Sequence, residues 1–145
     1  MMNERLFRRQ ADIIAQYELF DDWLDKYQQI IHEGKRLPPL DAQYHTDPYL
    51  VRGCQSQVWF YHEVKAGHLV FHAASESSIV QGLLALLIRV YSDATPQEIL
   101  ATPPEFIQKM GLDAHLSPTR QTGLHAVLAQ MFKIAETQCF PVGTG

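Results

Sequence analysis

The chain is poor in cysteine: 145 residues hold two, Cys54 and Cys139, far apart. Two thiols at that separation make no disulfide scaffold, and in a reducing compartment no structural bridge between them is expected. Positive charge is also short, with 12 Lys and Arg against 16 Asp and Glu for a net charge of −4. No broad basic field is therefore offered to nucleic acid. Arg5, Arg8 and Arg9 do cluster, but three charges on one helix read as a solvated face. No apolar run approaches the ~20 residues needed to span a bilayer. The stretch from Ile79 to Val90 is the most apolar, yet it is short, broken by Gln81 and Arg89, and reads as a buried core helix. After Asn3-Glu4-Arg5 no apolar leader segment follows, so a cytoplasmic protein with no membrane contact is expected. Glycine-rich phosphate loops, Walker patterns and paired-carboxylate signatures are missing. With no repeat, low-complexity tract or linker in view, one domain spanning 1–145 is expected, long enough to bury a core.

What is present has clear periodicity. Leu6, Ile13, Ile14 and Tyr17 recur at helical spacing, and a second helix carries Trp23, Leu24, Tyr27, Ile30 and Ile31 on one stripe. Asp21 suits its N-cap and Gly34 the left-handed position after its end. Leu37-Pro38-Pro39-Leu40 forbids helix and begins a loop that runs to about Arg52, from which an extended edge segment is a further expectation. Val58–Val64 and His68–His72 are rich in aromatic and β-branched residues and flank Lys65-Ala66-Gly67, the pattern of a β-hairpin. Ser75 and Ser77 offer N-caps for a helix to about Tyr91. Thr95-Pro96-Gln97-Glu98 and Thr102-Pro103-Pro104-Glu105 both have capping-box spacing. One short helix ends at Met110-Gly111, and Ser117-Pro118 opens the last, striped by Leu124, Val127, Leu128, Met131 and Ile134 to about Thr137. Helices, a small antiparallel sheet, then helices predict an α+β fold with the helices packed on one face of the sheet.

Cys54 stands in Arg52-Gly53-Cys54-Gln55-Ser56, between a loop and the first strand. A thiol there can be presented to another protein, and Gly53 leaves one side of it bare. Arg52 would favour a thiolate if its guanidinium folded back. A free cysteine on its own is more often a small buried hydrophobe than a nucleophile. Seven histidines are available, but none lies in a motif that would place a base at the sulfur. His68 and His72 share a strand face, with His62 on the partner strand. The trio has zinc-ligand chemistry but none of the usual zinc spacings, and reads better as a polar, solvent-facing strip.

The run Gly53-Cys54-Gln55-Ser56-Gln57-Val58-Trp59 resembles the signature of the SufE family, the sulfur acceptors that partner cysteine desulfurases in iron–sulfur cluster assembly. Leu37–Leu40, Ser78–Leu87 and Leu116–Leu124 are similar, in order and spacing, to that family's loop after the second helix, central helix and last-helix start. The resemblance covers roughly Phe20 to Ala135. It implies a SufE/NifU-like fold in which Cys54 takes the terminal sulfur of a desulfurase persulfide, stimulates that enzyme and passes sulfur to a cluster scaffold. The implied partners are a SufS-type desulfurase and a SufB-type scaffold, with a homodimer left open. Pyridoxal phosphate belongs to the desulfurase, so no cofactor is implied for this chain. Arg120 matches an arginine that contacts the desulfurase, Glu76 an acidic position beside the cysteine loop, and Gln55 the residue after the thiol. The cysteine is expected to tuck into an apolar pocket built from residues such as Val51, Val58, Trp59 and Leu83. Tyr49-Leu50 departs from the family's more polar stretch, and Cys139 matches no family role. A CsdE-like acceptor serving another desulfurase and other recipients is the alternative; an independent thiol enzyme using a histidine, or a regulator that needs no cysteine, stand behind it.

Overall fold

A computed structural model describes residues 4–139. Among them the helices are α1 (Glu4–Glu18), α2 (Trp23–Arg36), α3 (Ser78–Tyr91), α4 (Pro96–Leu100), α5 (Glu105–Lys109), α6 (Leu112–His115) and α7 (Pro118–Cys139). Strands β1 (Val58–Lys65) and β2 (His68–Ser75) pair antiparallel between α2 and α3. The α+β order expected from the sequence is the one observed.

The hairpin is tighter than its sequence suggests. Lys65 pairs with His68, so the turn is the two residues Ala66 and Gly67, both at positive φ (51° and 80°). That is the turn hand that matches strand twist, and glycine makes its second position cheap. Alternation then separates two faces. Val58, Phe60, Leu69, Phe71 and Ala73 are buried against the helices, with the Phe60 and Phe71 rings 5.5 Å apart. Trp59, Tyr61 and His72 point the other way, where the segment before Cys54 covers them: Tyr44 stacks on Tyr61 at 3.7 Å, His72 on Tyr61 at 4.5 Å, and His45 on Trp59 at 4.6 Å. The edge segment expected between Pro38 and Arg52 shrinks to one bridge, Leu50 to Trp59. The rest includes two short 3-10 turns, Ala42–Tyr44 and Asp47–Tyr49. Prolines 39 and 48 lack the N–H that a ladder needs.

α3 is the centre of the molecule and is buried on nearly all sides, from Ile79 through Tyr91. It crosses α2 at contact distance. A methyl added to Gly82 would lie 2.0 Å from the Ile30 carbonyl oxygen, and one on Gly34 would lie 2.6 Å from the Gly82 nitrogen. Gly34, expected to end α2, is therefore inside it, because helix crossing rather than chain reversal requires the missing side chain there; α2 continues to Arg36. Its N-cap is Asp22, not Asp21, and accepts from the Asp25 N–H.

In the basic cluster on α1, Arg8 is exposed as expected, but Arg5 and Arg9 are not a solvated face. Arg5 makes a two-pronged contact with the buried Glu98 carboxylate at 2.8 and 2.9 Å, and Arg9 donates to the carbonyls of Val90 and Ser92 that end α3. Arg5 holds the Glu98 carboxyl down to about 2, aided by the Thr95 backbone N–H. Thr95 and Glu98 form the expected capping box. The second box fails. Thr102 Oγ1 turns back to the Glu98 carbonyl, α5 starts after Pro104, and the Phe106 N–H is satisfied by Gln10 of α1 at 2.8 Å.

Candidate functional site

Cys54 belongs to a loop whose base is closed by the Val51 N–H donating to the Val58 carbonyl at 2.8 Å. Just inside that base the chain turns through Arg52 and Gly53, and Gly53 has φ +90°, where a side chain is strained. The turn points Cys54 at the N-terminal half of α7. Its thiol is half-buried, with Sγ 3.8 Å from the Gly123 carbonyl oxygen. Gly123 leaves the room: a methyl on it would already touch Sγ at 3.5 Å.

A cavity of about 360 Å³ opens beside the sulfur, between the loop, α3 and α7. Val58, Val80, Leu83, Leu84, Leu87, Leu124 and Val127 are its apolar lining. Gln55, Ser56, Ser77, Ser117, Thr119 and Arg120 contribute the polar lining. The lining of α7 follows helical spacing, with Arg120, Gly123 and Leu124, then Val127 on one face. That period is visible in the sequence, but nothing there says that the face meets a cysteine.

The electrostatics of the thiol are simple. Burial pushes the Cys54 thiol up, and no charge opposes it. Arg52 is exposed and does not hold a thiolate. No histidine lines the cavity. The resting group is thus a neutral, sheltered thiol without a base. A thiol so placed is a weak nucleophile, because the thiolate is the reactive form and burial disfavours it.

Among the site residues expected from the sequence, Cys54, Gln55 and Arg120 meet at this cavity, and so do Val58 and Leu83. Glu76 is exposed in the turn before α3 and does not line the cavity; its neighbour Ser77 does, and caps α3. Val51 is buried, and Trp59 faces the opposite side of the sheet, so neither contributes wall. The histidine trio does not converge. His62 pairs with Phe71 on the inner face and lines a groove beside Lys133 of α7, while His68 binds Asp93 and His72 binds Glu63 outside. No group of three potential metal ligands occurs among the described residues. Nor is any helix among them long and apolar enough to cross a membrane. Cys139, at the end of α7, is free, as is Cys54.

Comparison with known proteins gives the chain a family and fold relatives. A sequence profile of the SufE family, described as an Fe-S metabolism associated domain, matches residues 11–135. "SufE-like protein 1, chloroplastic/mitochondrial" of Arabidopsis thaliana is 37% identical over 135 residues, covering 91% of this chain and 36% of the relative. The chain thus spans about a third of that protein's length. The solution structure of a hypothetical protein from Thermus thermophilus shares the fold, with a TM-score of 0.74 over 90% of this chain and 96% of the other at 18% identity. On a profile match that runs from α1 to the penultimate turn of α7, the chain belongs to the SufE family.

Proposed function

We propose that this chain is a sulfur carrier: Cys54 takes the outer sulfur of a persulfide on a SufS-type cysteine desulfurase, and the chain thereby speeds desulfurase turnover. It then passes the sulfur to a SufB-type cluster scaffold. In the transfer the Cys54 thiolate attacks the outer sulfur of the donor persulfide. A new S–S bond forms to Cys54, the donor's S–S bond breaks, and the donor cysteine leaves as thiolate. The proton that Cys54 gives up to become thiolate is free for that leaving group, so no outside oxidant or reductant is consumed.

The observation that carries this reading is the setting of the Cys54 sulfur. It is half-buried beside an apolar cavity, without a histidine, and neutral at rest. A carrier needs that setting, because a bare persulfide is readily oxidised or reduced. An independent thiol hydrolase would need a base at the sulfur, and no residue lining the cavity supplies one. Gln55 and Arg120 on the lining, with Glu76 nearby in sequence, are the proposed contacts to the desulfurase. The cytoplasmic location expected from the sequence is part of this proposal, beside a curated relative that is chloroplastic/mitochondrial.

The test mixes the protein with a SufS-type desulfurase, its pyridoxal phosphate and cysteine, followed by intact mass without reductant. Wild type gains sulfur and raises sulfide release; Cys54→Ser does neither. Stimulation that survives Cys54→Ser would replace the carrier with a regulator. Sulfur uptake only from a different desulfurase would move the chain to the CsdE-like role.

A further inference from the structure

A second cavity, of about 430 Å³, lies against another face of α3, where α1 and the end of α2 meet it. Its polar lining is Gln16, Glu33, Arg36 and Arg89, and Leu37 and Ile88 are among its apolar residues. Glu33 is the unusual member, a carboxylate 6% exposed. Its Oε1 accepts from the Tyr17 hydroxyl at 3.2 Å and from Arg89 at 2.7 Å. Its Oε2 accepts nothing from the described residues and yet is not sealed from solvent. Arg89 spends one nitrogen on Glu33 and on Gln16, leaving the rest of its guanidinium free among the described residues. Arg36 makes no side-chain ion pair or hydrogen bond with any of them.

A structural tie between three helices explains Tyr17, Glu33 and Arg89. It does not explain an open pocket holding a half-used buried carboxylate and an unpartnered arginine. Glu33 Oε2, open to the pocket, is available to a further donor, ideally a cationic one. The free guanidinium edges of Arg89 and Arg36 seek a carboxylate. Because Glu33 and Arg89 touch, their free sites lie a few ångströms apart, the separation between the ammonium and carboxylate of one α-amino acid. Leu37 and Ile88 leave an apolar wall for a small side chain, and the volume is that of a small-molecule site.

We propose that this cavity binds a free α-amino acid, its ammonium on Glu33 and its carboxylate on Arg89 and Arg36. The site is independent of the Cys54 chemistry.

The experiment titrates the full chain, labelled with nitrogen-15, with L-alanine and follows the amide resonances. Saturable shifts are expected at residues 16, 33–37 and 85–89. Acetate or methylamine alone should bind at least about tenfold more weakly, as loss of one charged contact implies. Arg36→Ala, an exposed change, should weaken L-alanine by about the same factor with thermal stability retained. Cys54→Ser should bind like wild type. Absence of saturable shifts at those residues would overturn the proposal. So would Arg36→Ala binding as tightly as wild type, or acetate matching L-alanine, since Glu33 would then be idle.

Discussion

Gly82 of α3 lies so close to Ile30 of α2 that a single added methyl would stand 2.0 Å from the Ile30 carbonyl oxygen and 2.6 Å from its carbon. The obstacle is backbone, which cannot rotate aside. Gly82→Ala must therefore push two central helices apart, despite alanine's better helix propensity. We expect a loss of about 3 kcal/mol, the upper range for overpacking, or outright failure to fold. Urea denaturation reads it directly; a variant as stable as wild type would mean that the helices do not cross here.

Cys54 should titrate as a buried thiol. Its alkylation by iodoacetamide is expected to have a pH midpoint above that of the same protein unfolded in urea, because burial raises its pKa. The sign for stability follows. The unfolded chain releases the thiol proton first, so folding is weakened as pH rises past the ordinary thiol value, and is unaffected below it. Gly123 gives the structural control. Alanine there only touches Sγ and should leave the profile in place. Leucine has no room unless the Cys54 loop moves. Gly123→Leu should thus speed alkylation near neutral pH by about threefold or more and return the midpoint toward the unfolded one.

Glu98 should govern the acid limb of stability. Its folded pKa of about 2 lies below the usual carboxylate value, so its contribution is present above roughly pH 5 and is lost as pH falls toward 2. Arg5 is 47% exposed, and solvent screening brings the expected size to about 1–2 kcal/mol at pH 7. Glu98→Gln keeps an oxygen for the Thr95 N–H but loses the charge. The gap between wild type and Glu98→Gln in urea midpoint should be widest at pH 7 and close near pH 2. A gap independent of pH would assign Glu98 to capping alone.

How much of the molecule is legible in its sequence depends on how local each cause is. The hairpin, the Thr95 capping box and the last-helix start at Pro118 are set within a few residues, and all three can be read directly. Cys54 is marked by its loop and by family resemblance, and the structure brings it to Gln55 and Arg120. Long-range causes are hidden. Gly34 has the look of a helix stop until Gly82 is known to cross it. Thr102 has the spacing of a cap, but Gln10, 96 residues before Phe106, does that work. Arg5 and Arg9 of α1 look solvated because their acceptors, Glu98 and the end of α3, lie more than 80 residues on. The room that Gly123 gives the sulfur is likewise a tertiary fact, since nothing beside Gly123 in the sequence mentions Cys54.

The pairing of Val51 with Val58, backed by the ring stack of Tyr44 on Tyr61, fixes the length of the leash on which Cys54 travels. Cys54 is three residues from Val51 and four from Val58, so fully extended chain can carry it at most about 10 Å from the nearer anchor. In the proposed transfer, a sulfur on so short a tether cannot search the solvent for a recipient. Each hand-over would then take place with donor or recipient seated against the rim of the cavity, the distance the sulfur moves being set by docking and not by the reach of an arm.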